Sequence, residues 1–224
     1  DYRPKKEVVE KFVSSNFVVI AGPAAAGKDT LRNGLINKYK ELYEPIISTT
    51  TRAPRPDEQE GEAYHFISVE QIETLIEKGD LLQVALVHNQ QISATDSAEL
   101  EKLSSGKIGL SILVVQTEAE LYALNPKIKT IFLIPPSYEE MISRLEIERH
   151  TKHHEVNRRL TAAITEIEIA LKLDRYFCII SDEKERVIEV AHKFLQSGLK
   201  DEEEDANARE VMRKILVDLK QSKV

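Results

Sequence analysis

The stretch Phe17–Leu31, FVVIAGPAAAGKDTL, constrains this chain more than any other. Phe17, Val18, Val19 and Ile20 read as a buried strand of a parallel sheet, where both faces are covered. Gly22-Pro23-Ala24-Ala25-Ala26-Gly27-Lys28 then fits G-x-x-x-x-G-K, and Thr30, Leu31 and Leu35 open a helical pattern. Strand, tight loop and helix, in that order, are the context in which this pattern holds phosphate. Small residues let backbone N–H groups face an anion, the helix adds its positive end, and a lysine reaches the outer phosphates. The bland alternative is a small-residue turn that happens to end in Gly-Lys; the flanking elements weigh against it.

The residue after the lysine is unusual. The motif ordinarily places Ser or Thr there to ligate Mg²⁺, whereas this chain has Asp29 followed by Thr30. Asp is a hard, charged oxygen donor that can hold Mg²⁺ directly or through water. Equally, it is a first-turn acid favoured by the helix dipole. Asp29 and Thr30 are therefore the candidate metal ligands.

Composition bounds the rest. A chain of 224 residues suits one domain, or one domain with an appendage. With 42% hydrophobic and 31% charged residues it can build a core. A net charge of -7 argues against a nucleic-acid binder working through a broad basic surface. The single cysteine, Cys178, lies in the apolar run RYFCII and reads as a small core residue rather than a nucleophile. No apolar run approaches the roughly 18 residues of a membrane span and no signal peptide is visible, so the expected compartment is the cytoplasm.

Along the chain, apolar strand-like runs alternate with helical ones. Residues 4–13 read as a short amphipathic helix, Ile46-Ile47 as the start of a second strand after Glu44-Pro45, and Ala63–Ile67 as a short strand. Ser68 and Gln71 form a capping box for a helix closed by Gly79. Strands are expected at Leu81–Val87, Ile108–Val115, Thr130–Ile134 and Tyr176–Ile180. Helices are expected from Asp96, Glu118, Ser137, Glu155 and Glu183 onward. The pattern predicts an α/β fold with a central parallel sheet covered by helices. Residues 200–224 differ: acidic at the start, basic at the end, with Ala208, Met212, Ile215 and Leu219 at helical spacing. This appended helix is expected to pack on its own core, with a homo-oligomer contact through it as the alternative.

A second anion site follows the second strand. The string Ser48–Phe66, STTTRAPRPDEQEGEAYHF, holds Arg52 and Arg55 three apart on a proline-stiffened segment. Two planar guanidinium forks so placed suit one phosphate, and Ser48 and Tyr64 add hydroxyls. The string resembles the substrate-phosphate segment of the guanylate kinases, T-T-R-x-P-R-x-x-E-x-x-G-x-x-Y-x-F. Thr50, Thr51, Arg52, Pro54, Arg55, Glu58, Gly61, Tyr64 and Phe66 fall in register with it. Similarity continues at Ile134-Pro135-Pro136-Ser137, Arg144-Leu145-Glu146 and Asn157-Arg158-Arg159-Leu160, covering about Asn16 to Gln196.

The resemblance implies a P-loop kinase domain over 1–199, with a small substrate-binding subdomain near 48–100, a helical lid near 144–160, and the helix at 200–224 outside it. It also implies that Gly22, Pro23, Ala24, Ala25, Ala26, Gly27, Lys28, Asp29 and Thr30 bind ATP with Mg²⁺. Lys28, Arg52, Arg144 and Arg159 become the catalytic candidates. Lys28, Arg144 and Arg159 would stabilise the moving phosphoryl group, while Ser48, Arg52, Arg55 and Tyr64 grip the acceptor phosphate. Gln83 falls at the base-contacting position. The expected activity is phosphoryl transfer from ATP to a nucleoside monophosphate, with no nucleic-acid or membrane partner.

The chain departs from the family where the base is read. Gln83 stands where a Glu is usual, Ile92-Ser93-Ala94 replaces Tyr-Gly-Ser/Thr, and Ser111-Ile112-Leu113-Val114 lacks the usual acids. Guanine presents N–H donors, so losing carboxylate acceptors should weaken guanine selection. Asp29 is read as replacing the acidic charge that the family usually carries near Mg²⁺ and that this chain lacks. In the lid, Ile147-Glu148-Arg149 replaces Gly-Arg-Gly, and His150, His153 and His154 read as solvated rather than as metal ligands. Two other functions stay open on these departures: a phosphorylated-sugar kinase such as a ribose bisphosphate kinase, and a non-catalytic phospho-ligand-binding module.

Overall fold

The apolar run before the phosphate loop forms strand β1 (Asn16–Ala21), five of whose six residues are buried. The computed structural model describes residues 2–55, 58–87, 91–147 and 153–222. Strands β2 (Tyr43–Ile46), β7 (Ile108–Ile112), β8 (Lys129–Ile134) and β9 (Phe177–Ile180) join β1 in one parallel sheet of order β2-β7-β1-β8-β9. β2 takes in Glu44 and Pro45, earlier than the sequence pattern implies. It is an edge strand, the one place in a sheet where a residue without an N–H costs little.

Two compact units make up the chain. The first comprises residues 1–19 and 39–128. It contains a second sheet of order β4-β3-β6-β5, built from β3 (Thr49–Thr50), β4 (His65–Phe66), β5 (Leu81–Val87) and β6 (Gln91–Asp96). β3 runs parallel to β4 and antiparallel to β6, and β5 pairs with β6 through an irregularity between Leu81 and Gln83. Nothing in QISATD announces β6; its backbone is defined by the strands on either side. Helices α1 (Lys6–Ser14), α3 (Val69–Lys78), α4 (Ser97–Glu101) and α5 (Val115–Leu124) complete this unit. The Ser68–Gln71 capping box forms as the sequence implies, and Gly79 ends α3 in the left-handed conformation. Ile72, Leu81 and Ala94 are fully buried here, with Ile67, Leu75 and Val84 packed around them.

The second unit comprises residues 20–38 and 129–224. It holds α2 (Lys28–Lys38), β8, α6 (Tyr138–Ile147), α7 (His153–Ala170), β9, α8 (Lys184–Ser197) and α9 (Glu202–Gln221). β8 and β9 pair in parallel from Ile131↔Phe177 to Ile134↔Ile180, and nearly every side chain of both is buried. That is why they read as continuous apolar runs rather than alternating ones. Cys178 lies fully buried in β9, and burial first of all pushes its thiol up to about 12, the behaviour of a core residue. On α9, Ala208, Met212, Ile215 and Leu219 are all buried, so the apolar stripe of the tail is covered within its own unit. Asp201 caps this helix by accepting from the Glu204 N–H at 3.1 Å.

Among the described residues, no helix is long and apolar enough to cross a membrane. Part of the expected lid, with Glu148, Arg149 and His150, lies outside the described residues, as do the side chains of His153 and His154.

Candidate active site

The phosphate-loop cluster is built in the second unit. β1 delivers the chain into a turn that only glycine can make at its first position. Gly22 has φ +139°, and a Cβ there would come within 2.3 Å of the Leu133 carbonyl oxygen. Gly27 closes the loop at φ +80°. Between them Ala25 holds φ 63°, an uncommon conformation for a residue with a side chain and one that accumulates where function demands it. α2 opens at Lys28, so its first-turn N–H groups and positive end lie at this loop. Lys28 Nζ turns back into the loop and donates to the carbonyls of Gly22 at 2.7 Å and Pro23 at 2.8 Å.

A cavity of about 230 Å³ opens beside this loop. Ala25, Gly27, Thr30 and Leu31 form one side, and Leu133, Arg144, Ser181, Asp182 and Lys184 face them. Arg144 is fixed on three sides: its Nε donates to Glu140 at 2.8 Å, and its terminal nitrogens reach Ser181 Oγ at 3.1 Å and Ser181 O at 2.8 Å. For Asp182, burial works to raise the carboxyl, yet hydrogen bonds from Arg186 and the Glu183 N–H hold it below the usual range. Arg159, on α7, is not among the residues lining this cavity.

Asp29 and Thr30 are both exposed on the first turn of α2. Asp29 Oδ1 accepts from Arg32 at 3.2 Å. Thr30 lines the cavity. A carboxylate and a hydroxyl here supply the one or two hard protein oxygens that Mg²⁺ takes beside phosphate and water, so the donor set fits that ion.

α7 contributes a group that motif reading does not reveal. Glu166 Oε2 is buried and has no hydrogen-bond partner among the described residues. Burial pushes this carboxyl up to about 7, with the positive charge of Lys28 pulling the other way.

A second polar cluster is built in the first unit, around Arg52. Its two terminal nitrogens donate to the two oxygens of Glu58 at 2.6 Å each. Its guanidinium lies 4.9 Å from the centre of the Tyr64 ring and 5.5 Å from that of Phe66. Glu58 also accepts from the Arg55 N–H at 2.9 Å and sits 3.6 Å from the Arg55 guanidinium. These bonds, that of Arg52 foremost, hold the Glu58 carboxyl down at about 2. Two arginines share one carboxylate, which leaves a net positive charge, with Arg55 the more exposed of the pair. Ser48 is buried nearby in sequence, its carbonyl accepting from the His65 N–H at 2.9 Å. Thr50 and Thr51 tie this segment to Ile92 of β6.

Gln83 stands apart from that cluster, on β5. Its Nε2 donates to Thr95 Oγ1 at 3.1 Å, which fixes the amide with Oε1 buried and without a partner among the described residues. Ser111 Oγ on β7 is buried and unpaired in the same sense. Each is a hydrogen-bonding atom held ready inside the first unit.

The structure thus gathers Arg52, Arg55 and Tyr64 in one unit, and the phosphate loop with Arg144 in the other. The sequence motif carried Glu58 in register, but its role as the clamp on both arginines emerges only from geometry. Ser181, Asp182 and Lys184 also line the cavity; they follow β9, and no local sequence pattern marks them.

Comparison with known proteins agrees with this architecture. The family model described as Guanylate kinase matches residues 14–202. A guanylate kinase of Trichormus variabilis is 34% identical over 181 residues, 80% of this chain and 89% of that protein. One from a Nostoc species is 32% identical over 185 residues, covering 81% and 92% respectively. Among solved structures, guanylate kinase from Anaplasma phagocytophilum shares the fold, with a TM-score of 0.63 at 23% identity over 94% of this chain and 96% of its own.

Proposed function

The chain belongs to the guanylate kinase family, and from that premise we propose that it transfers the γ-phosphoryl group of ATP to a nucleoside monophosphate. One observation carries the reading: the phosphate loop has the geometry of its motif as well as the letters. Gly22 and Gly27 hold the turn, α2 opens on it, and Lys28 Nζ waits on two loop carbonyls. A binding module that had given up catalysis would have no use for that lysine.

Phosphoryl transfer needs in-line positioning and positive charge rather than a covalent step. In this reading the loop N–H groups and Lys28 hold the donor phosphates. Arg144, braced by Glu140 and Ser181, presents charge from the cavity wall. Arg159 is assigned to the same charge set. Ser48, Arg52, Arg55 and Tyr64 hold the acceptor phosphate, with Glu58 keeping both arginines in register. Mg²⁺, held by Asp29 or Thr30 together with phosphate oxygens, supplies charge neutralisation when bound.

The relatives are named for guanylate, and GMP is the first acceptor to test. Gln83 offers guanine a neutral carbonyl in place of a carboxylate, so discrimination against other bases is expected to be weaker. A cytoplasmic location belongs to the same proposal, since ATP and nucleoside monophosphates are intracellular metabolites. The test is ADP release with Mg-ATP against all ribo- and deoxynucleoside monophosphates and a set of ribose phosphates. Turnover on a nucleoside monophosphate supports the reading. Turnover on ribose phosphates alone, or ATP binding with no turnover on any acceptor, overturns it.

A further inference from the structure

Residues beyond 202 lie outside the matched family region, yet α9 grips the strand that leads into the donor cavity. β9 is an edge strand, and its outward N–H groups need partners. Asp205 Oδ1 accepts from the Cys178 N–H at 2.8 Å, and Glu204 Oε1 accepts from the Ile180 N–H at 2.9 Å. Two carboxylates from one helix turn thus complete the ladder that no further strand supplies.

Glu204 does more than cap an edge. Its Oε2 receives Arg186 at 2.7 Å, and Arg186 also donates to the Ile180 carbonyl at 2.7 Å and to Asp182 Oδ1 at 2.8 Å. One guanidinium from α8 therefore bridges α9, the end of β9 and the first residues of the loop that lines the cavity. Ser181 and Asp182 are that lining. The Glu204 side chain is 12% exposed, so the bridge is best shielded at its α9 end and more open to solvent at Asp182, which is 44% exposed.

We propose that α9 is a working part of the donor site, with Glu204 as a positioning residue that acts through Arg186 to hold Ser181 and Asp182 in the wall of the nucleotide cavity. The inference rests on the reading that this cavity takes ATP. Asp205 supplies the internal comparison. It sits on the same helix and binds the same strand, but its hydrogen bonds go to Cys178 and Arg209, away from the cavity lining.

The experiment uses the full chain with Glu204→Gln, Arg186→Lys and Asp205→Asn. It reads direct binding of a fluorescent ATP analogue, KM for ATP and for the acceptor, and Tm. Glu204→Gln keeps an acceptor for Ile180 but loses the charge that holds Arg186; Arg186→Lys keeps the charge but cannot bridge three partners. Both are expected to weaken ATP roughly five-fold, the scale of one ordinary net hydrogen bond, with acceptor KM changed less than about two-fold. Asp205→Asn should lower Tm at least as much and leave ATP affinity within about two-fold. Arg186→Lys decides alone if Glu204→Gln does not fold. Unchanged ATP affinity in the bridge variants, or an equal loss in Asp205→Asn, overturns the proposal. Binding is read without any acceptor, so a wild type that binds ATP yet phosphorylates nothing refutes the kinase reading while this test still returns its answer. A wild type that binds no ATP overturns both.

Discussion

Arg52 and Glu58 form a two-bonded fork, with both nitrogen–oxygen distances at 2.6 Å and both side chains nearly closed off from solvent. A lone arginine in that place would swing among rotamers. Paired, it is held over the rings of Tyr64 and Phe66, and Glu58 binds the Arg55 backbone as well. A carboxylate at an anion site looks contradictory until it is seen as the part that fixes the two cations.

Glu58→Gln should therefore raise the KM for the acceptor about ten-fold while KM for ATP stays near the wild-type value. Because the Glu58 carboxyl is held at about 2, the stability it contributes is complete above its ordinary range near 4.5 and drains away as pH falls from there towards 2. Initial-rate kinetics with each substrate varied in turn checks the first claim. Acid titration of wild type and variant checks the second, and the two curves should converge at low pH.

Gly22→Ala tests the donor loop. The added methyl group would meet the Leu133 carbonyl oxygen at 2.3 Å, and φ +139° is strained for any side chain. Neither the strand nor the oxygen can yield without moving β8. We expect Tm to fall by about 5 °C or more and ATP binding to weaken at least about ten-fold. Thermal melts and titration with an ATP analogue decide it; a stable variant that binds ATP normally contradicts the assigned loop geometry.

Gln83→Glu tests base reading. Thr95 can rotate its hydroxyl from accepting to donating, so the buried carboxylate keeps a partner. Its charge would strengthen hydrogen bonds from guanine N–H groups. The ratio of kcat/KM for GMP over AMP should rise about ten-fold, together with a lower Tm from burying a charge. An unchanged ratio removes Gln83 from the base site.

How much of this was legible in advance follows from where each feature's determinants lie in the chain. The phosphate loop is contiguous, so fifteen residues from Phe17 to Leu31 display strand, turn and helix start together. The capping box at Ser68 and the continuous apolar runs of β8 and β9 are equally local. Pro45 misled because a proline reads as a break unless the strand is known to be an edge, which is a property of the sheet. β6 was hidden because QISATD draws its structure from β3 and β5. Ser181, Asp182 and Glu166 were invisible for the same reason: their surroundings are assembled from distant segments, and their own neighbours in sequence carry no motif.

Glu166 gives the last prediction. Its carboxyl titrates at about 7 against an ordinary value of 4.5, because burial disfavours the charged form more than Lys28 favours it. Between 4.5 and 7 the unfolded chain has released this proton while the folded protein keeps it, so stability declines as pH climbs through that window and levels off above it. Below 4.5 both states are protonated and the residue adds no penalty. Glu166→Gln removes the titration while keeping the shape. Its Tm should exceed wild type by a few degrees, on the scale of about 2–4 °C per kcal/mol, at pH 8, and by much less at pH 5. Melting both proteins at the two pH values checks this. A variant less stable than wild type at pH 8 would mean that the carboxylate is ionised and paired, and that Lys28 rather than burial governs it.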